Sequence, residues 1–125
     1  KTHLEELKGA PAGILFEHYI FMELMGYKLL QEKEDDICFW RCSKSGFEVD
    51  FILGDAKIAI EVKISNKIDK TDLKGLLAFL DDFPNAIAYL VAPIERKRLF
   101  VDGKKNITLL PWRDFLADLW SGKIE

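Results

Sequence analysis

Asp50, Glu61 and Lys63 are the residues of this chain whose types and spacing could do chemistry. Phe47, Val49, Phe51 and Leu53 alternate with Glu48, Asp50 and Ile52, while Ile58, Ile60, Val62 and Ile64 alternate with Ala59, Glu61 and Lys63. A period of two is that of a β-strand, so Glu61 and Lys63 share one face of theirs, and Asp50 belongs to the matching face of its neighbour. The link from Gly54 to Lys57 is short enough for an antiparallel hairpin, which sets the two strands side by side. A third acid, Glu17, falls on a stripe with Gly13, Ile20, Phe21 and Leu24, where a core-facing helix is expected to be apolar. Like charges 4 Å apart repel by about 4 kcal/mol at an effective dielectric near 20. A divalent cation removes that cost, and oxygen donors suit Mg²⁺ or Mn²⁺. Lys63 would then stand beside the metal and near an attacking water. The competing expectation is a polar strand face with a structural ion pair, worth about 0 to 1 kcal/mol if exposed, and for Glu17 a plain helix-surface acid.

The elements that must position these residues read in order along the chain. Pro11 to Met25 predicts a helix, with Pro11 in its first turn, Leu15, Phe16, Tyr19, Ile20 and Leu24 apolar, and Gly26 at C′. After the charged stretch Glu32 to Asp36 comes a strand, Ile37 to Cys42, and a hairpin-type turn at Ser43 to Gly46. The two alternating strands follow. A polar stretch, Ser65 to Thr71, leads to a helix over Asp72 to Asp82 with Leu73, Leu76, Leu77 and Leu80 at helical spacing, stopped by Pro84 and Asn85. Ile87 to Ala92 reads as a buried strand, Leu99 to Val101 and Ile107 to Leu110 as a hairpin about Asp102 and Gly103, and Pro111 to Gly122 as a closing helix with Trp112, Phe115, Leu116 and Leu119 on its apolar face. This order predicts an α/β sandwich built on one mixed sheet. The central strands of such a sheet are covered on both faces, so charges on them lie under a helix or in a cleft.

The bulk properties narrow the function classes. A chain of 125 residues with 49% hydrophobic and 31% charged residues is sized and composed as one folded domain, 1–125. A formal net charge of −3 argues against a surface that grips nucleic acid everywhere, and leaves room for a local basic patch. Arg96, Lys97, Arg98, Lys104 and Lys105 supply one candidate, against a plain solvated turn. Cys38 and Cys42, four apart in one strand, stand about 13 Å from each other, too far for a disulfide. With His3 and His18 the only histidines, a zinc site is not expected, and reduced cysteines fit a cytoplasmic protein. Trp40, Trp112 and Trp120 are expected to pack rather than to stack on bases. The longest apolar run, Ala86 to Ala92, is far short of the roughly 20 residues of a membrane span. The chain opens at Lys1 without a methionine, which fits a piece of something longer.

The stretches GFEVDFIL and AIEVKIS resemble the PD-(D/E)XK nuclease superfamily, with Asp50 as first acid and Glu61-Val62-Lys63 as the (D/E)XK element. More narrowly, GILFEHYIFMEL, FWRCSKSGFEVDFIL, IAIEVKIS and LKGLLAFLDDFP resemble, over roughly residues 13 to 120, the C-terminal domain of a family of prokaryotic AAA+-type ATPases. The resemblance implies a restriction-endonuclease-like sandwich and a metal-dependent nuclease, endo- or exonucleolytic, with Mg²⁺ or Mn²⁺ on Asp50, Glu61 and Glu17. It implies Lys63 as the residue that positions or activates water, nucleic acid with DNA favoured as the substrate, and an ATPase portion of the same longer chain as partner. Val49 stands where proline gives the superfamily its name, as in the RecB-like branch, and that branch's glutamine on the following helix is missing, with Lys70 or Lys74 the nearest polar substitute. The alternative expectation is a catalytically inactive nuclease-fold interaction module of the ATPase. No GxxxxGK[ST] loop occurs, so any ATP hydrolysis belongs outside this chain.

Overall fold

A computed structural model describes residues 12–31 and 37–124. Helix α1 spans Ala12–Leu30, followed by strands β1 (Ile37–Arg41), β2 (Glu48–Leu53) and β3 (Ile58–Val62). A turn of 3₁₀ helix, Lys70–Leu73, runs into α2 (Lys74–Asp82), and then come β4 (Ile87–Ala92), β5 (Arg98–Asp102), β6 (Lys105–Pro111) and α3 (Trp112–Trp120). The six strands form one mixed sheet in the order β1-β2-β3-β4-β6-β5. The hairpin partners β1/β2, β2/β3 and β5/β6 are antiparallel, and β3/β4 and β4/β6 are parallel. Two parallel pairs at the centre and antiparallel hairpins outside are what short turns and one helical crossover produce.

Both faces of the sheet are covered, each by its own core. On one side α2 lays Leu76, Phe79 and Leu80 against Val49, Ile52, Ala59, Leu90 and Ile107. On the other α1 and α3 bring Ile20, Leu24, Tyr27, Phe115 and Leu119 against Phe51, Ile58, Ile60, Val62 and Val91. All five residues of β3 are buried, which fits a strand covered on both faces. The tryptophans pack as expected: Trp40 meets Phe79 edge-on with ring centroids 5.2 Å apart, Trp112 meets Phe16 at 6.1 Å, and Trp120 meets Tyr27 at 5.5 Å. Cys38 and Cys42 are free thiols.

Three expectations are corrected by the structure. Helix α1 does not stop at Gly26 but continues to Leu30. Tyr27 is buried against Trp120, and that packing outweighs the poor helix propensity of one glycine. The segment expected as one helix from Asp72 is instead a 3₁₀ turn from Lys70 followed by α2 from Lys74, because Asp69 caps the turn: its side chain accepts from the N–H groups of Thr71 and Asp72, and the Asp72 carboxylate accepts from the Asp69 N–H in return. Finally, Phe47, Val49, Phe51 and Leu53 do not share one face. Val49 belongs to the core under α2, and Phe51 to the core under α1 and α3. Cys38 pairs with Ile52 while Trp40 pairs with Val49, so two steps along β1 match three along β2. The additional residue is a β-bulge at Asp50–Phe51, and it breaks the alternation there.

Candidate functional site

The site is built where β2 and β3 part. Their backbone ladder runs from Leu53–Ile58 to Phe51–Ile60 and ends there. Beyond it, each strand's acid takes the other strand's free donor. The Asp50 N–H donates to Glu61 Oε1 at 3.1 Å, and the Val62 N–H donates to Asp50 Oδ2 at 2.8 Å. The two bonds take up N–H groups that the ladder no longer pairs, so this reciprocal clasp holds the opened strands in register. On its other edge β3 stays zipped to β4, through Val62 opposite Val91 and the Lys63 N–H bonded to the Val91 carbonyl at 2.9 Å. The bulge at Asp50–Phe51 sets the direction in which Asp50 leaves its strand.

Burial and charge then act on these groups unequally. Glu61 has a side chain only 11% exposed and is the buried polar residue of the described core. Its carboxyl is pushed up to about 9, by burial first, then by its hydrogen bond with the Asp50 side chain and the nearby Asp50 charge, with Lys63 pulling the other way. Lys63 Nζ stands 3.9 Å from Glu61 Oε2 and is 39% exposed, so its ammonium reaches solvent while facing the buried acid. Glu17 sits on the buried stripe of α1, three residues before Ile20 and seven before Leu24. Its pKa is raised, by burial first and then by the Asp50 charge, while Lys63 lowers it and Glu48 raises it. Glu48 itself is exposed and lies 3.9 Å from Arg41, as a solvated strand-end acid should.

The structure therefore brings Asp50, Glu61 and Lys63 into contact and leaves Glu17 as an electrostatic neighbour. Among the described residues no three acid, histidine or cysteine side chains gather closely enough to enclose one ion. A hydrated magnesium needs fewer, since it is commonly held by one or two carboxylates and keeps several waters. A buried, crowded carboxylic acid beside a second carboxylate is a donor set that fits such an ion. No glutamine lies on α2, and Lys74 points its ammonium over the Phe47 ring, 5.9 Å from the centroid.

Some residues that shape the site carried no chemical signal in the sequence. Gly75 lets α2 lie directly on the start of β2: a Cβ there would stand 2.0 Å from the Glu48 carbonyl oxygen. The β2–β3 turn runs through positive φ at Gly54 (61°), Asp55 (56°) and Ala56 (63°), and it is this turn that sets Asp50 against Glu61. No helix among the described residues is long and apolar enough to cross a membrane.

A family model described as a domain of unknown function, DUF4143, matches residues 12–115. The chain belongs to that family. The match takes in α1 with Glu17, the β2–β3 hairpin with Asp50, Glu61 and Lys63, and the sheet through β6. No relative among curated proteins matches the chain.

Proposed function

We propose that this member of the DUF4143 family is a metal-dependent nuclease-like domain that hydrolyses nucleic-acid phosphodiester bonds. It has the restriction-endonuclease-like form of the α/β sandwich and serves as the terminal domain of an AAA+-type ATPase. The observation that carries the reading is the Asp50–Glu61 clasp. A carboxylic acid buried against a second carboxylate at a strand opening is costly in a merely structural role, and perturbed acids of this kind concentrate at functional sites. The resemblance of the two strand motifs to the PD-(D/E)XK pattern supports the same residues.

Asp50 and Glu61 are the residues that would hold Mg²⁺ or Mn²⁺, with Glu17 flanking them. The ion, when bound, supplies Lewis acidity toward a phosphate and its attacking water. Glu61 has to release its proton to take part, which ties binding to pH. Lys63 places a positive charge at the solvent side of the pair, where it can hydrogen-bond the attacking water or a phosphoryl oxygen as negative charge develops. The second reading, an interaction module that has lost catalysis, draws support from the absence of a gathered third carboxylate among the described residues.

The deciding experiment is cleavage of labelled single- and double-stranded DNA and RNA by the purified protein in Mn²⁺, Mg²⁺ and EDTA. Wild type is expected to cut in the presence of metal, and Lys63→Ala to lower the rate at least about a hundredfold, the usual magnitude for a positioned proton-transfer group. Equal cleavage by wild type and Lys63→Ala would assign the activity to a contaminant and leave the interaction module.

A further inference from the structure

The candidate site lies at the end of the parallel strands where β3 and β4 both finish, and two adjoining grooves open at that end. The first, of about 390 Å³, is lined by Asn66 on one side and by Glu95, Arg96 and Arg98 on the other. The second, of about 170 Å³, shares Arg98 and adds Asp69, Lys70 and Phe100. One loop, the one that leaves Lys63, walls both: Asn66 stands in the first groove and Lys70 in the second. Asn66 is three residues from Lys63, at most about 11 Å of chain. That is about three nucleotides at the duplex rise of about 3.4 Å each.

The charges in these grooves are free to meet a ligand. Among the described residues neither the Arg96 nor the Arg98 guanidinium has an ion-pair or hydrogen-bond partner. The acids nearby do not neutralise them. Asp69 spends its carboxylate on the N–H groups of Thr71 and Asp72, and Glu95 is exposed and paired with neither arginine. The basic residues that cluster in the sequence separate in space. Arg98 opens β5 opposite Leu109, whereas Lys104 and Lys105 lie at the far turn, where Asp102 faces Lys105, and Lys105 is paired with Asp81. Five strand residues set the two ends about 14 Å apart. Free arginines that fork toward phosphate, with an aromatic ring along the groove, match the way single strands are held by charge and stacking.

We infer that Arg96 and Arg98, with Asn66 and Lys70 on the opposite wall, form a track for the phosphate backbone of a single nucleic-acid strand leading to Asp50, Glu61 and Lys63. This rests on the nuclease reading for its direction, but binding needs no metal and can be measured without cleavage. The test is fluorescence anisotropy with a labelled 12-nucleotide oligothymidylate in EDTA, over a series of salt concentrations, for wild type, the double variant Arg96→Ala/Arg98→Ala, and Lys104→Ala at the far turn. Urea midpoints check that the variants fold, since both arginines are exposed. The double variant is expected to bind at least tenfold more weakly at low salt and to reduce the log–log salt slope by about 1.4, two phosphate contacts at about 0.7 each on a single strand. Lys104→Ala is expected to match wild type. Three results overturn the track: no binding by wild type, equal affinity and slope for wild type and the double variant, or an equal loss in Lys104→Ala. Displacement of the oligonucleotide by an acidic peptide of the same charge at equal concentration also overturns it, in favour of a protein partner. If binding depends on the arginines while no protein cuts in Mn²⁺, the track stands and the nuclease reading falls.

Discussion

Folding raises the affinity of Glu61 for a proton far above the ordinary carboxylate range, because its side chain is buried against Asp50. Its carboxyl titrates near 9 when folded and near the ordinary 4.5 when unfolded. Between those values the folded chain holds one proton more than the unfolded chain. Stability is therefore fully present below about 4.5, declines as pH rises, and is lost from this source by about 9, with a slope of at most about 1.4 kcal/mol per pH unit. Urea midpoints in EDTA from pH 5.5 to 8.5 are expected to fall steadily for wild type, and Glu61→Gln, which keeps an acceptor oxygen for the Asp50 N–H and carries no charge, is expected to flatten the profile. A wild-type profile as flat as that of Glu61→Gln would mean that the buried acid is ionised throughout. The Lys63 ammonium faces the same group from the solvent side, and the partial exposure of their pair limits what it can offset.

The elements around the pair are positioned by two backbone features whose mutational effects run opposite to ordinary propensity. In α2, alanine is normally better than glycine by about 1 kcal/mol. At Gly75 a Cβ would meet the Glu48 carbonyl oxygen at 2.0 Å, a backbone atom that cannot swing aside. Gly75→Ala is expected to lower stability by at least about 2 kcal/mol, since the helix has to lift off β2 and open a gap in its core. At Ala56 the sign reverses. Its φ of 63° is left-handed, which costs a residue with a Cβ about 1 to 2 kcal/mol, partly offset by the greater freedom glycine has when unfolded. Ala56→Gly is expected to raise stability by about 0.5 kcal/mol. Urea denaturation of the two variants beside wild type checks both, and a neutral Gly75→Ala would show that α2 does not sit on β2 as closely as described.

The molecule as a whole couples its two cores through the strands that carry the site. Val49 packs beneath α2, Phe51 beneath α1 and α3, and Asp50 lies between them at the bulge. A ligand that binds Asp50 and Glu61 therefore stabilises the entire sandwich by mass action, by about 2.7 kcal/mol at a hundred times its dissociation constant. Thermal unfolding in EDTA and in excess Mg²⁺ is expected to show that stabilisation for wild type and almost none for Asp50→Asn. The amide oxygen can still accept from the Val62 N–H, so this variant keeps the clasp while losing the charge a cation needs. In EDTA, Asp50→Asn is expected to be at least as stable as wild type, because a charge next to Glu61 and Glu17 has been removed. A large loss of stability in EDTA, with no Mg²⁺ effect on either protein, would reduce Asp50 to a structural acceptor.

Much of this was legible in the residues alone, for a physical reason: patterning is written locally. Strands β2, β3 and β4 declared themselves by alternation or by an unbroken apolar run, α2 and α3 by their leucine and aromatic stripes, and the pairing of Asp50 with Glu61 by the shortness of the turn between their strands. Glu17 was visible as a charge on an apolar stripe. The rest depended on contacts between residues distant in sequence. Gly26 is a good helix terminator until Tyr27 finds Trp120, and only the packing of α1 against α3 brings the two together. The bulge at Asp50 is invisible in β2, because it exists only in the mismatch with β1. Gly75 reads as a weak spot in a helix until Glu48 approaches it. The basic residues near the last hairpin look like one patch in the sequence, and the antiparallel strands carry them to opposite ends, leaving Arg98 at the start of β5 and Lys105 bound to Asp81 at the far turn. Periodicity assigns a side chain to a face of its own element, but only the assembled sheet decides which other element that face meets.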